Sequence, residues 1–251
     1  MENEILYGQM NFTLPHDVVE LPSKGLYYKS KKSSIKVGYL NAADEDILSS
    51  GIKNNNLLIT LLRNKIYEPD LKPEELLDGD IEAILIFLRN TSFGPEYTLN
   101  LTDPLTGNLF QHTFILDEIN FKSPKNKPND DGTFTAILPR SNANVKLKLL
   151  NLGDKSKITN QESSYPKGRV APTTLWTLQE QIVELNGDTD KGKIIEFVQN
   201  MPIMDSKYIK KFISENEPGL DLKVNAIAPS GENVSTSITF GVEFFRPFFD
   251  I

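Results

Sequence analysis

An internal repeat is the feature of this sequence that most restricts its fold. The alternating apolar residues of segment 35–44 recur in segment 145–154 at a constant offset of 110. The i, i+3, i+4 spacing of apolar residues in segment 84–88 recurs in segment 209–213 at an offset of 125. Strict alternation is typical of a strand, and the second spacing is typical of one helix face. The sequence therefore predicts one structural unit that is used twice.

Turn-forming residues divide the chain and close each unit. A hairpin is predicted around the turns 103–107 and 229–231, because each is flanked by strand-like runs. Segment 122–132 is rich in Pro, Asn, Asp and Gly, which indicates a linker. We therefore predict an α+β fold of two related halves, each with N-terminal strands, a helical segment and a C-terminal β-hairpin. Residues 1–125 form the first repeat unit and residues 126–251 the second, degenerate one.

Helix signals fill the middle of each half. In the first half, the sequence predicts a helix through 44–48 that Asn41 or Asp44 caps. Apolar spacing predicts two further helices over 57–66 and 81–88, the second with Asp80 as its cap. In the second half, helices are predicted over three segments, and the polar segment 154–172 is predicted to be a loop. The three segments are 174–185, 191–199 and 205–214.

Composition excludes several classes of function. The net charge of −7 repels phosphate backbones, so nucleic acid is not expected as a partner. No apolar run approaches the roughly 20 residues that a bilayer crossing needs, so no membrane association is expected. The absence of cysteine excludes disulfides, thiolate metal sites and cysteine nucleophiles. Segment 1–11 lacks the basic and apolar regions of a signal peptide, which favours synthesis in the cytoplasm.

Catalytic patterns are missing. The chain has two histidines and none of the common nucleophile, phosphate-loop or zinc-protease motifs. We predict no catalytic residue, no metal and no cofactor. The alternative is a carboxylate-based, metal-dependent hydrolase that uses Asp44, Glu45, Asp80 and Arg89. Helix starts attract acidic residues, so we interpret these carboxylates as caps, and we expect Arg89 to pair with an acid such as Asp80 or Glu45.

The C-terminal segment 240–251 contains five phenylalanines. In an extended strand, Phe240, Val242 and Phe244 would share one face, which we expect to pack inside the second half, and Phe245 would lie on the other face. Phe248 and Phe249 follow a proline that ends strand pairing, and we predict that they contact a partner.

An ordered set of short motifs resembles the T4-type bacteriophage baseplate family, which includes a baseplate hub subunit and a hub assembly catalyst. The resemblance is clearest over residues 20–100. The residues that carry it are Pro22, Ser23, Gly25, Asp44, Glu45, Gly79, Asp80, Arg89, Gly94 and Tyr97.

The resemblance implies a non-catalytic phage tail protein of baseplate hub structure or assembly. It implies a chaperone-like role, with other hub proteins or the tape-measure protein as partners. The expected location is the host cytoplasm during assembly, or the tail baseplate of the virion. Relatives are expected to carry cysteine pairs at the hairpin turns, and this chain has none there, so no zinc is expected. A non-viral cytoplasmic adaptor is a further alternative. The choice between hub subunit and assembly catalyst, and the oligomeric state, stay open.

Overall fold

The fold is α+β, as the sequence predicts. The computed structural model describes residues 15–50, 55–241 and 244–245. The elements of the first half are β1 (His16–Glu20), β2 (Ser34–Gly38), α1 (Ala42–Ser50), α2 (Asn55–Lys65), a 3-10 turn (Pro73–Glu75), α3 (Asp78–Phe93), β3 (Glu96–Thr102), β4 (Leu109–Ile115), a second 3-10 turn (Leu116–Glu118) and β5 (Phe121–Lys122). Those of the second half are β6 (Phe134–Ile137), β7 (Asn144–Leu147), α4 (Leu152–Ser163), α5 (Thr173–Gln181), β8 (Ile182–Leu185), α6 (Lys191–Gln199), α7 (Ile203–Asn216), β9 (Gly219–Leu220), β10 (Lys223–Ile227) and β11 (Asn233–Ser237).

The strands form small antiparallel sheets. β1 pairs with β2, β3 with β4, and β10 with β11, while β6, β7 and β8 form one three-stranded sheet. The short strands β5 and β9 pair with each other, so they connect the first half to the second. Among the described residues, no helix is both long and apolar enough to cross a membrane.

One hydrophobic core extends through both halves. It runs from Val19 in β1 to Phe245 and includes side chains from α1–α3 of the first half and α4–α7 of the second. α3 lies at its centre, since nine residues of this helix are buried. A smaller cluster of Leu101, Phe114 and Ala226 lies between the β3–β4 hairpin and the β10–β11 hairpin. Each half thus runs from a strand pair through helices to a hairpin, while their descent from one repeated unit stays a prediction.

Two predictions for the second half are wrong. Residues of the expected loop 154–172 form most of α4, whose start is fixed where the Asp154 amide donates to the Asn151 side chain. The expected helix 174–185 ends at Gln181 and continues as β8. The β-branched Ile182 and Val183 favour a strand, and β7 provides the edge with which this strand pairs.

The C-terminal aromatic residues are arranged differently from the predicted extended strand. The Phe244 amide donates to the Gly241 carbonyl at 3.0 Å, so the chain turns here. Phe244 and Phe245 are both buried, and Val242 lies outside the described residues. Phe244 packs against Tyr97 of β3, with ring centroids 5.3 Å apart. This segment therefore contacts the first half, and the prediction that it packs inside the second half is wrong.

Candidate functional site

Asp80 is the most deeply buried of the family-motif carboxylates, with 0% exposure. Its Oδ1 accepts the Ser23 amide at 2.8 Å, and its Oδ2 accepts the Tyr28 hydroxyl. The Tyr28 oxygen in turn accepts the Leu77 amide at 3.0 Å. Leu77 occupies the cap position of α3 without a side-chain bond. Asp80 therefore holds the turn after β1 onto α3, and the prediction that it caps the helix is wrong.

Burial sets the ionisation of this pair. Desolvation raises the pKa of Asp80, although the bonds from Ser23 and Tyr28 act in the opposite direction. Burial, and then the charge of Asp80, raise the pKa of Tyr28 well above its usual value. Tyr28 therefore keeps its proton and remains a donor. The pair stabilises structure and offers no free base.

The second half contains a matching arrangement, which the sequence analysis missed. Asp205, also fully buried, accepts the Arg140 amide at 2.7 Å and the Ser141 amide at 3.0 Å. Arg140 follows a Leu-Pro step, as Ser23 does in the first half. The offset of 125 that relates the helices also relates Asp205 to Asp80, so the repeat contained the signal.

Asp44 forms a buried ion pair that the sequence analysis also missed. Its partner is Lys65 at the end of α2, and both side chains are almost fully buried. Lys65 also donates to the Tyr39 carbonyl at 3.0 Å, and Asp44 accepts the Asn41 amide at 2.8 Å. The Asn41 side chain accepts the Ala43 amide at 3.0 Å, so both predicted candidates, Asn41 and Asp44, close the start of α1. Glu45, one residue on, is exposed.

Arg89 binds backbone carbonyls rather than the acid that was predicted. Its guanidinium donates to the carbonyls of Gly94 and Glu96, both at 2.7 Å, and to that of Phe244 at 3.1 Å. It lies over the Tyr97 ring, 5.1 Å from the centroid. Burial lowers the pKa of Arg89. The residue joins the end of α3 to the C-terminal segment.

The glycines of the motif permit close backbone contacts. A Cβ on Gly79 would overlap the backbone of Pro218 and Gly219, where α3 crosses β9. Gly25 has φ of +70° and faces the Lys31 backbone, so a side chain there would also clash. Gly94 has φ of +83° and ends α3. Close packing and positive φ angles therefore explain why glycine occupies these motif positions.

The motif carboxylates are not assembled into a reaction centre. Asp80 is bonded to an amide and a hydroxyl, and Asp44 to a buried lysine. Within the described ranges, no group of three or more Asp, Glu or His side chains is arranged to hold a metal ion. The hydrolase alternative therefore has no site among these residues.

Two concave surfaces lie on either side of Phe121, whose side chain is 42% exposed. The first, which we name the apolar groove, has a volume of about 420 Å³ and is lined mainly by α3, β1 and the segment after β4. The second, which we name the basic cleft, has a volume of about 310 Å³ and lies between the turn after β1 and the linker. Pro22 of the family motif lines the basic cleft.

The tips of the two C-terminal hairpins form another exposed apolar region. Asp103 accepts the Ser230 amide at 3.1 Å and the Ser230 hydroxyl at 2.8 Å, which joins the two turns. Near these turns, Leu105, Leu109 and Ile227 are 71%, 75% and 64% exposed. Phe248 and Phe249, predicted to contact a partner, lie outside the described residues.

Comparison with known protein families identifies a family for this chain. A family model described as T4 bacteriophage base plate protein matches residues 18–246 of the 251. No curated protein and no solved structure matches the chain. The match covers both halves and confirms the family that the motif resemblance indicated over residues 20–100.

Proposed function

Because the chain belongs to the T4 bacteriophage base plate protein family, we propose that it is a non-catalytic, chaperone-like protein of baseplate hub assembly. Its proposed partners are other hub proteins or the tape-measure protein. Its proposed place of action is the host cytoplasm during assembly, before or during incorporation of the hub into the tail.

One observation carries this proposal. The buried polar residues of the motif are used inside the protein, while an apolar groove stays open on its surface. Asp80, Asp44 and Arg89 each bond groups that hold one element against another. The groove along α3 exposes Phe121 and is lined by Ile86. A rigid scaffold with an open apolar groove is suited to docking another protein chain.

Phe248 and Phe249 are proposed as a second contact with a partner. Phe245, three residues before Phe248, is buried. Two further aromatic rings that follow a proline would be an aggregation liability unless something covers them. Deleting residues 248–251 should leave the fold intact and weaken association with hub or tape-measure proteins. Unfolding of the truncated protein would instead assign these rings to the core.

A duplication is proposed as the origin of the two halves. Two recurring contacts support it. Asp80 and Asp205 each accept backbone amides of the turn that follows a Leu-Pro step. Asp44 accepts the Asn41 amide at 2.8 Å, and Asp154 accepts the Asn151 amide at 3.4 Å. Superposition of the halves with Tyr39 placed on Leu149 tests the idea. The duplication would be contradicted if Asp80 did not superpose on Asp205, or Asp44 on Asp154.

The function is tested in infected cells. Affinity capture of the tagged protein should recover hub or tape-measure proteins, and mass spectrometry of purified particles should show whether it stays in the tail. Phe121→Ser should reduce the recovery, because this ring lies beside the groove. Val170→Ser, at a residue that is 93% exposed and lines neither concave surface, serves as the matched control. Recovery of no baseplate protein by the wild type would refute the proposal.

A further inference from the structure

The apolar groove and the basic cleft adjoin, since Phe121 lines both. β5 lies between them, and we name the two adjoining surfaces together the bipartite groove. Along the first part the walls are mainly apolar, with Ile86, Phe87, Leu116 and Ile119 among the lining residues. The two parts differ in charge, and this difference restricts what the whole groove can bind.

Three lysines line the basic cleft, and no acidic residue does. They are Lys24, Lys122 and Lys127, all exposed. Lys122 donates to the Ser214 carbonyl at 2.9 Å, and neither Lys24 nor Lys127 forms an ion pair among the described residues. The net charge of the whole chain is −7, so the basic cleft is a positively charged region on an acidic protein.

The basic cleft is held in place from both sides. On the side of the turn, Lys31 donates to the carbonyls of Leu26 at 3.1 Å and Asp130 at 2.8 Å. On the side of the linker, the amide and the side chain of Asn126 donate to Asn216 Oδ1 at 2.7 and 3.0 Å. The lysines therefore project from walls whose separation is fixed, which lowers the cost of ordering a bound segment.

We propose that the bipartite groove binds a partner-protein segment in which acidic residues adjoin apolar ones. The acidic residues lie over Lys24 and Lys127, and the apolar side chains lie against α3. This inference rests on the proposed function, because it describes the partner of a baseplate assembly protein. Charge complementarity selects the acidic part and its orientation, and the buried apolar area supplies affinity.

Nucleic acid fits the groove less well than such a segment. Glu20 and Asp117 line the apolar part. A phosphate backbone that lay along the groove would place negative charges close to both carboxylates, which would repel them. A protein segment can confine its acidic residues to the end at the lysines, and its backbone amides can donate to the two carboxylates.

Direct binding to the full chain tests the proposal. The probe is a fluorescein-labelled peptide with a run of Asp and Glu followed by Leu, Phe and Ile. Wild-type protein should bind it, and Lys24→Glu with Lys127→Glu should weaken binding at least about tenfold, because attraction becomes repulsion. Phe121→Ser should weaken it about fivefold through lost apolar contact. Raising the salt concentration should weaken binding by wild type.

The matched control is Lys207→Glu with Lys210→Glu, which reverses two exposed charges on α7 outside the groove. It should bind as wild type does, and a peptide with lysine in place of Asp and Glu should not bind. Circular dichroism of each variant checks the fold. Equal loss of binding in the control pair would show that the peptide responds only to overall charge and would overturn the proposal.

Two further outcomes would also overturn it. Displacement of the peptide by a single-stranded DNA of equal charge at equal concentration would assign the groove to nucleic acid. If the peptide bound only to the variant Glu2→Lys with Glu4→Lys, the groove would instead be assigned to the protein's own first residues. The two proposals fail separately. If wild-type protein does not bind the peptide but still captures hub proteins from cells, the groove proposal fails and the assembly function stands.

Discussion

Asp80→Ala removes the acceptor of two buried hydrogen bonds at once. The Ser23 amide and the Tyr28 hydroxyl would each lose their partner in a site that water does not reach. A hydrogen bond to a charged group contributes roughly 1.5–3 kcal/mol, so the gross loss is about 3–6 kcal/mol. Burial of Asp80 already has a cost, since it raises the pKa of this carboxyl. The net loss in the free energy of unfolding should therefore be near the lower limit, about 3 kcal/mol.

Urea unfolding followed by far-ultraviolet circular dichroism measures this loss. Asp80→Asn keeps one acceptor oxygen, so it should lose only about 1–2 kcal/mol. Glu45→Ala removes an exposed carboxylate of the same motif and should stay within about 0.5 kcal/mol of wild type. A change below about 0.5 kcal/mol in Asp80→Ala would refute the idea that this residue fastens the turn to α3.

Three other substitutions test separate parts of the structure by the same unfolding assay. Gly79→Ala should cost about 1–3 kcal/mol because its Cβ would overlap the backbone at Gly219, whereas Gly192→Ala, whose Cβ would meet only the Asp190 side chain, should be nearly neutral. Arg89→Lys should lose about 2–3 kcal/mol, because one ammonium cannot reproduce the guanidinium's contacts with three carbonyls; wild-type stability would contradict this. Burial raises the pKa of Glu82 from 4.5 to about 7. The contribution of Glu82 to the free energy of unfolding is therefore fully present below pH 4.5 and is lost as the pH rises through 7. Between pH 5 and pH 8, the stability of Glu82→Gln relative to wild type should therefore increase by about 1–2 kcal/mol, after allowance for the partial exposure of this side chain. If the unfolding free energies of the two proteins changed with pH in parallel, this role of Glu82 would be excluded.

The sequence alone was sufficient where local pattern and local structure coincide. Alternation in 35–44 and 145–154 indicated β2 and β7, because one face of each strand is buried in any packing of the chain. The helix spacing in 84–88 indicated α3, and the turn residues at 103–107 indicated the β3–β4 hairpin. The motif set, read in order, indicated the family that the comparison then matched.

Other features were decided by partners far away in the chain. Polar composition suggested a loop at 154–172, yet residues 152–163 are helical because the helix packs against the 3-10 turn of the first half. Ile182 and Val183 become a strand because β7 offers them an edge. Composition measures average polarity, whereas a helix needs only a narrow face and a cap. The local signals were the Asn151 cap and the β-branched residues Ile182 and Val183, and they became decisive only with these distant partners in place.

For the candidate site, too, the sequence indicated some features and the tertiary structure alone decided others. The sequence indicated that Arg89 needs a partner, because a charged side chain on an apolar helix face must be satisfied, and it singled out Asp80 as a cap and a motif residue. It did not identify Ser23, Tyr28 or the Phe244 carbonyl as those partners, since they lie between 52 and 155 residues away. Likewise, the lysines of the basic cleft belong to segments that are separate in sequence, and only the tertiary structure brings these segments together as the two walls of the cleft beside Phe121. Residue type determines that a buried charge must be satisfied, and chain folding determines which groups satisfy it.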